Sequence, residues 1–223
     1  MTADNFLNKY VDIETKCFIK KEKNIQLDKL LDETLKENGL TTFEEVSYLT
    51  NHLIDKEIKI RQPFFSKIIY PVLSHEVDLD NIDAIKLMLK LLNILMGLQE
   101  LTNNHKYSYS QLIERGLSLQ PNDKELLENR ELTLRNYISY TLHEVPIGVL
   151  YDNDGASIEN CDELLNTLKQ YETICSKLKV DNSELTNEAE FYYKAYKDYL
   201  GIYKHYNNFE NYLNELTEKR QPT

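Results

Sequence analysis

The side chains of this 223-residue chain that could do chemistry are five histidines, three cysteines and a large excess of carboxylates. Zinc hydrolysis needs two histidines four apart on one helix face with a glutamate between them, and a dinuclear bundle needs glutamate three residues before histidine. Neither spacing occurs at His52, His75, His105, His143 or His205. His143-Glu144 reads as a helix end, where an imidazolium suits the dipole. Asp152-Asn-Asp154-Gly155 has the look of a calcium loop. With Gly155 at the sixth position, however, Leu150 and Cys161 fall at the first and twelfth, where oxygen ligands are required. A turn followed by a helix N-cap at Ser157 fits better. Six scattered glycines give no phosphate cradle, and Ser176-Lys-Leu-Lys179 lacks the companion elements of a serine acyltransferase site. Cys161 and Cys175 lie about 21 Å apart along one helix, at 1.5 Å per residue, too far for a disulfide. They share an apolar seam with Leu164, Leu168, Tyr171 and Leu178, which predicts buried structural thiols. No catalytic residue, metal ligand or cofactor site is expected.

Arg135-Asn136 and His143 resemble the pattern of all-helical ribonucleases of the HEPN type, in which a histidine follows an arginine after four to six residues. Here seven residues intervene, which turns the histidine about 80° from the arginine on a helix. The resemblance implies RNA cleavage only if the helix bends between them.

What remains is charge and tyrosine. Lysine and arginine total 26 against 37 acids, a net charge of -11. Seven of those excess charges fall in residues 152–190, where Asp152, Asp154, Glu159, Asp162, Glu163, Glu172, Asp181, Glu184, Glu188 and Glu190 face three lysines. Two readings stand: a solvated face with acids favoured at helix N-termini, or a docking surface that speeds encounter with a basic partner. Tyr192, Tyr196, Tyr199, Tyr203 and Tyr206 follow at steps of 4, 3, 4 and 3, forming one helical stripe. Such a stripe is either the inner face of a helix or an interface, since tyrosine offers rigid amphipathic area and needs a partner for its hydroxyl. The candidate partner-binding residues are therefore Asp152, Asp154, Glu159, Asp162, Glu163, Glu172, Glu184, Glu188, Tyr192, Tyr196, Tyr199 and Tyr203. Direct nucleic-acid or membrane binding is not expected of so acidic a chain without a basic patch.

The elements that must position these residues are helices. Apolar residues recur at three and four along the whole chain, and Thr42 with Glu45, Ser108 with Gln111, Asn122 with Glu125 and Asp181 with Glu184 have capping-box spacing. The pattern predicts helices over 3–19, 25–38, 42–58, 63–76, 80–101, 108–119, 123–143, 157–179, 182–206 and 208–218. Gly39 is placed to be a left-handed residue after the second helix, and Pro71 to kink or end the fourth. Val145, Ile147, Val149 and Tyr151 alternate without a partner run and read as a crossover. The expected fold is all-α, an array of about ten antiparallel helices in one domain over 1–219. Residues 102–107 are the place where it would divide, and 220–223 form a disordered tail. The amino terminus lacks a basic and apolar leader and Ile82–Leu101 is broken by charges, so a cytoplasmic location is expected.

Leu112-Ile-Glu-Arg-Gly116-Leu-Ser-Leu-Gln-Pro121-Asn-Asp123 resembles the end of the second helix of a tetratricopeptide (TPR) repeat and its turn. That resemblance implies stacked antiparallel helix pairs and protein binding. Acid beside tyrosine without a catalytic motif points to a protein-binding module. In its most concrete form this is a cytosolic immunity protein that neutralises a basic nuclease toxin by occluding its active site. A TPR-like scaffold for a short peptide and a HEPN-like ribonuclease are the alternatives.

Overall fold

The computed structural model describes residues 1–95, 106–145, 156–202 and 205–218, all regular elements of which are helical. It divides into two compact units, Met1–Pro121 and Asn122–Thr223. The division falls within the Pro121-Asn122-Asp123 turn rather than at 102–107. Most of that polar segment, the crossover after Val145 and the tail from 220 lie outside the described residues.

In the first unit α1 (Ala3–Lys16) packs on α2 (Lys20–Lys36) and α3 (Phe43–Asp55). The short α4 (Gln62–Phe64) runs through one π-helical turn (Phe65–Ile69) into α5 (Tyr70–Asp78), followed by α6 (Ile82–Leu95) and α7 (Tyr109–Leu119). The helical run continues past Pro71 to Asp78, but the regular α-helix is interrupted by the π-helical turn just before it. In the widened turn the Tyr70 N–H donates to the Phe65 carbonyl, and the missing proline donor is absorbed there. Thr42 with Glu45 and Ser108 with Gln111 form true capping boxes.

Gly39 owes its place to close approach, not to a left-handed backbone. A β-carbon there would meet the Met1 carbonyl oxygen at 3.0 Å, while the positive φ angles belong to its neighbours Asn38 and Leu40. The Met1 ammonium lies 2.8 Å from Glu37, and its charge draws that carboxyl below the usual range.

The core of the first unit is built around Phe6, Tyr10 and Phe64, whose rings pack at centroid distances of 4.9 to 5.8 Å. The fully buried Tyr10 hydroxyl donates to the Lys59 carbonyl and accepts the Arg61 N–H, both at 2.9 Å. Burial holds its proton on far above the ordinary phenol range. Beside it the Glu14 carboxylate, 6% exposed, takes both Nε and Nη2 of Arg61 at 2.8 Å, and Lys23 donates to the Glu14 carbonyl at 2.8 Å. One carboxylate thus ties α1 to α2 and to the segment entering α4.

The second unit is a three-helix core of α8 (Lys124–Glu144), α9 (Ile158–Leu178) and α10 (Ser183–Ile202), with α11 (Phe209–Glu218) against α10. Asp162 meets Lys197 at 2.5 Å near one end, and Cys175 meets Asn182 near the other, so α9 and α10 are antiparallel. Ser157 caps α9 with Asn160 in a capping box. The two other expected boxes do not form, and each is replaced by a single side-chain bond. Asp123, not Asn122, accepts the Leu126 N–H, and Asp181 accepts the Ser183 N–H ahead of α10.

Replacing Glu14 with alanine leaves Arg61 and Lys23 facing a partly buried void. The expected loss of folding free energy is about 3–5 kcal/mol, read as a lower urea midpoint with unchanged helical content.

Candidate functional site

The cysteine seam is as the spacing predicts. Cys161, Leu164, Leu168, Tyr171 and Cys175 are all buried on the inner face of α9. Burial pushes the Cys161 thiol up to about 11 and raises Cys175 as well, which disfavours the thiolate at both. Among the described residues no three of His, Cys, Asp and Glu gather so as to hold a metal. Helix α8 runs without interruption through Arg135 and His143. Arg135 is directed at Glu131, 3.3 Å away.

The tyrosine stripe turns inward. Tyr196 is 3% exposed, packs edge-on against Phe209 at 4.9 Å, and its hydroxyl accepts the Ala156 N–H. Tyr192 and Tyr199 are half-buried against the same core, and Tyr199 lies 5.4 Å from Phe209 and 6.0 Å from Tyr212. Tyr196 is therefore corrected from a candidate interface residue to a core residue that seats α11. Asp152, Asp154 and Tyr203 lie outside the described residues. The most buried tyrosine of α10, Tyr193, is off the stripe. Thr141 Oγ1 lies 2.5 Å from its hydroxyl and donates to the Ile138 carbonyl at 2.9 Å, so the tyrosine is the donor between them.

The acids do reach solvent, but in two groups. Glu159, Asp162 and Glu163 occupy the outer face of the first turns of α9. Glu159 is held below the usual range by its own backbone N–H and by Ser157, as expected at a helix N-terminus, and Asp162 is neutralised by Lys197. Glu172 is about 14 to 20 Å further along the axis than these three, at 1.5 Å per residue. Because α10 returns antiparallel, Glu184 and Glu188 also lie at that far end.

There the structure gathers what sequence spacing does not. Glu131 of α8, Tyr171 of α9 and Asp181, Glu184 and Glu188 at the start of α10 line an open pocket of about 430 Å³, with Arg135 on its rim. Tyr171 donates to Glu131 at 3.1 Å. Burial and its contacts with Cys175 and Glu131 hold the phenol proton on. The pocket has four carboxylates and one cation. Among the described residues Glu163, Glu172, Glu184 and Glu188 have no lysine or arginine within ion-pair distance. In the first unit, by contrast, Asp12, Asp28, Asp32, Asp78 and Asp80 each have one. Glu131 was missed because its only link to α10 is tertiary: it falls outside residues 152–190 and no local spacing joins it to Glu184.

No protein-family profile matches the chain, and neither a curated protein nor a solved structure matches it beyond chance. Among the described residues no helix is long and apolar enough to cross a membrane.

Two measurements check this assignment. Tyr196→Ala should cost about 3–5 kcal/mol of folding free energy, as removal of a core aromatic does. A native-state thiol titration should label the half-exposed Cys17 rapidly and Cys161 and Cys175 only on unfolding.

Proposed function

We propose that this protein is an acidic protein-binding module for a basic protein partner, most concretely an immunity protein that neutralises a nuclease toxin by occluding its active site. The observation that carries this reading is the carboxylate pocket at the α8–α10 end of the second unit. Glu184 and Glu188 line it uncompensated, and Glu131 already takes one guanidinium, that of Arg135.

An exposed carboxylate left without a cation adds self-repulsion to a chain already at -11. A cationic surface arriving there relieves that repulsion, and the field of the pocket steers its approach. A nuclease active site is cationic because it binds phosphodiesters, so it has the chemistry this surface accepts. Val180 and Leu185 beside the acids supply the apolar contact that charge alone does not, since steering sets the rate of encounter more than the final affinity. Glu159 and Glu163, at the opposite end of α9, extend the acidic field without sharing the pocket.

The test pairs the protein with the product of the reading frame beside its own, which this reading expects to be a basic nuclease domain. Stoichiometric inhibition of cleavage is expected. Association should slow as ionic strength rises from 0.1 to 1 M and the Debye length falls from about 10 to about 3 Å. Reversing Glu184 and Glu188 to lysine should slow association further and leave the melting temperature nearly unchanged. Full inhibition by the doubly reversed protein at an unaltered on-rate would overturn the pocket as the docking site.

A further inference from the structure

The turn between α1 and α2 carries two large apolar side chains that nothing covers. Phe18 is 91% exposed and Ile19 64% exposed, between two helices whose inner faces bury Phe6, Tyr10, Leu27 and Leu31, while Ile25 of α2 is also 61% exposed. Helix α1 ends at Lys16 and α2 begins at Lys20, so Cys17, Phe18 and Ile19 are non-helical. A chain that buries Phe6, Phe64 and Phe65 completely has no packing reason to hold a phenylalanine in water.

The charges around the turn differ from those of the rest of the molecule. Residues 12–26 contain four lysines and three acids in a chain with 26 bases and 37 acids. Two of the three acids are already engaged in ion pairs, Asp12 with Lys16 at 2.8 Å and Glu14 with Arg61 and Lys23. The third, Glu22, accepts from Gln26 at 3.4 Å. Lys20 and Lys21, immediately after Ile19, are exposed and have no carboxylate within ion-pair distance among the described residues. The result is an exposed apolar patch, on the rim of an open groove that Ile13 and Glu22 also line, beside two lysines without an ion-pair partner among the described residues.

We propose that this turn is a contact site for an anionic lipid surface, with Phe18 and Ile19 entering the headgroup and acyl boundary and Lys20 and Lys21 meeting the lipid phosphates. Two features select a bilayer. An apolar wedge with flanking lysines is the arrangement that gains from both acyl-chain burial and the negative surface potential. The contact is also local, so the net charge of the whole chain, which argues against membranes at long range, is screened within about a Debye length of the turn. This site lies in the first unit and does not depend on the carboxylate pocket of the second.

The chain contains no tryptophan, so Phe18→Trp gives the turn its only indole. On adding vesicles of phosphatidylcholine with a third phosphatidylserine, the emission of this variant should shift to the blue and the protein should sediment with the lipid. Vesicles of phosphatidylcholine alone should give neither effect. Reversing Lys20 and Lys21 to glutamate in the same background should lower partitioning about tenfold or more, as should added salt. Because both apolar residues are exposed, Phe18→Ser with Ile19→Ser should abolish sedimentation and leave the melting temperature in place, which separates lost lipid contact from lost folding. Emission unchanged by the anionic vesicles, or equal binding to the neutral ones, would overturn the proposal. The first of these outcomes would leave the turn to a protein partner.

Discussion

A buried tyrosine hydroxyl must find a hydrogen-bonding partner, and in this chain that requirement fixes how the helices register. Apolar burial alone tolerates a helix sliding or rotating by part of a turn. A hydroxyl held by one named atom does not. Tyr10 joins α1 to the strand-like entry of α4 through Lys59 and Arg61, Tyr193 sets α10 against α8 through Thr141, and Tyr171 sets α9 against α8 through Glu131. These links span roughly 40 to 50 residues of sequence, and each lies beside a core cluster. The chain has 16 tyrosines and no tryptophan, so this device is available at many positions.

The same requirement explains which parts of the fold can be read from sequence. Helical periodicity and capping chemistry are local, so every expected helix has a counterpart, and Thr42, Ser108 and Ser157 cap where their spacing says. Boundaries without a local signal shift. Nothing of glycine or proline type marks the break at Cys17–Ile19, so the first helix ends three residues early and the second starts five residues early. Gly39 is informative for a tertiary reason, the approach of Met1, which the chain around it does not encode.

The stripe of tyrosines shows the limit of periodicity as evidence of function. A step of 4, 3, 4, 3 says that the rings share a face but not what that face meets. Phe209 and Tyr212 of α11 meet it, so the interface reading fails for Tyr196 while the acids around it stay in solvent. Sequence also treats residues 152–190 as one acidic block. Folding splits that block, because α10 runs back along α9 and carries Glu184 and Glu188 to the end opposite Glu159.

The wall of the pocket is itself a charge-coupled element. Glu131 accepts the Tyr171 hydroxyl, faces Arg135, and is largely buried between them. On the reading proposed above, a basic side chain entering the pocket would share the Glu131 carboxylate with Arg135, which is half exposed. Tyr171 is held by core packing and stays in place, so Glu131 would keep its orientation while its cation is exchanged. A carboxylate oriented by a buried phenol, with an exchangeable guanidinium, is pre-organised to receive a basic side chain, because the entropy of fixing that acceptor is already met by folding.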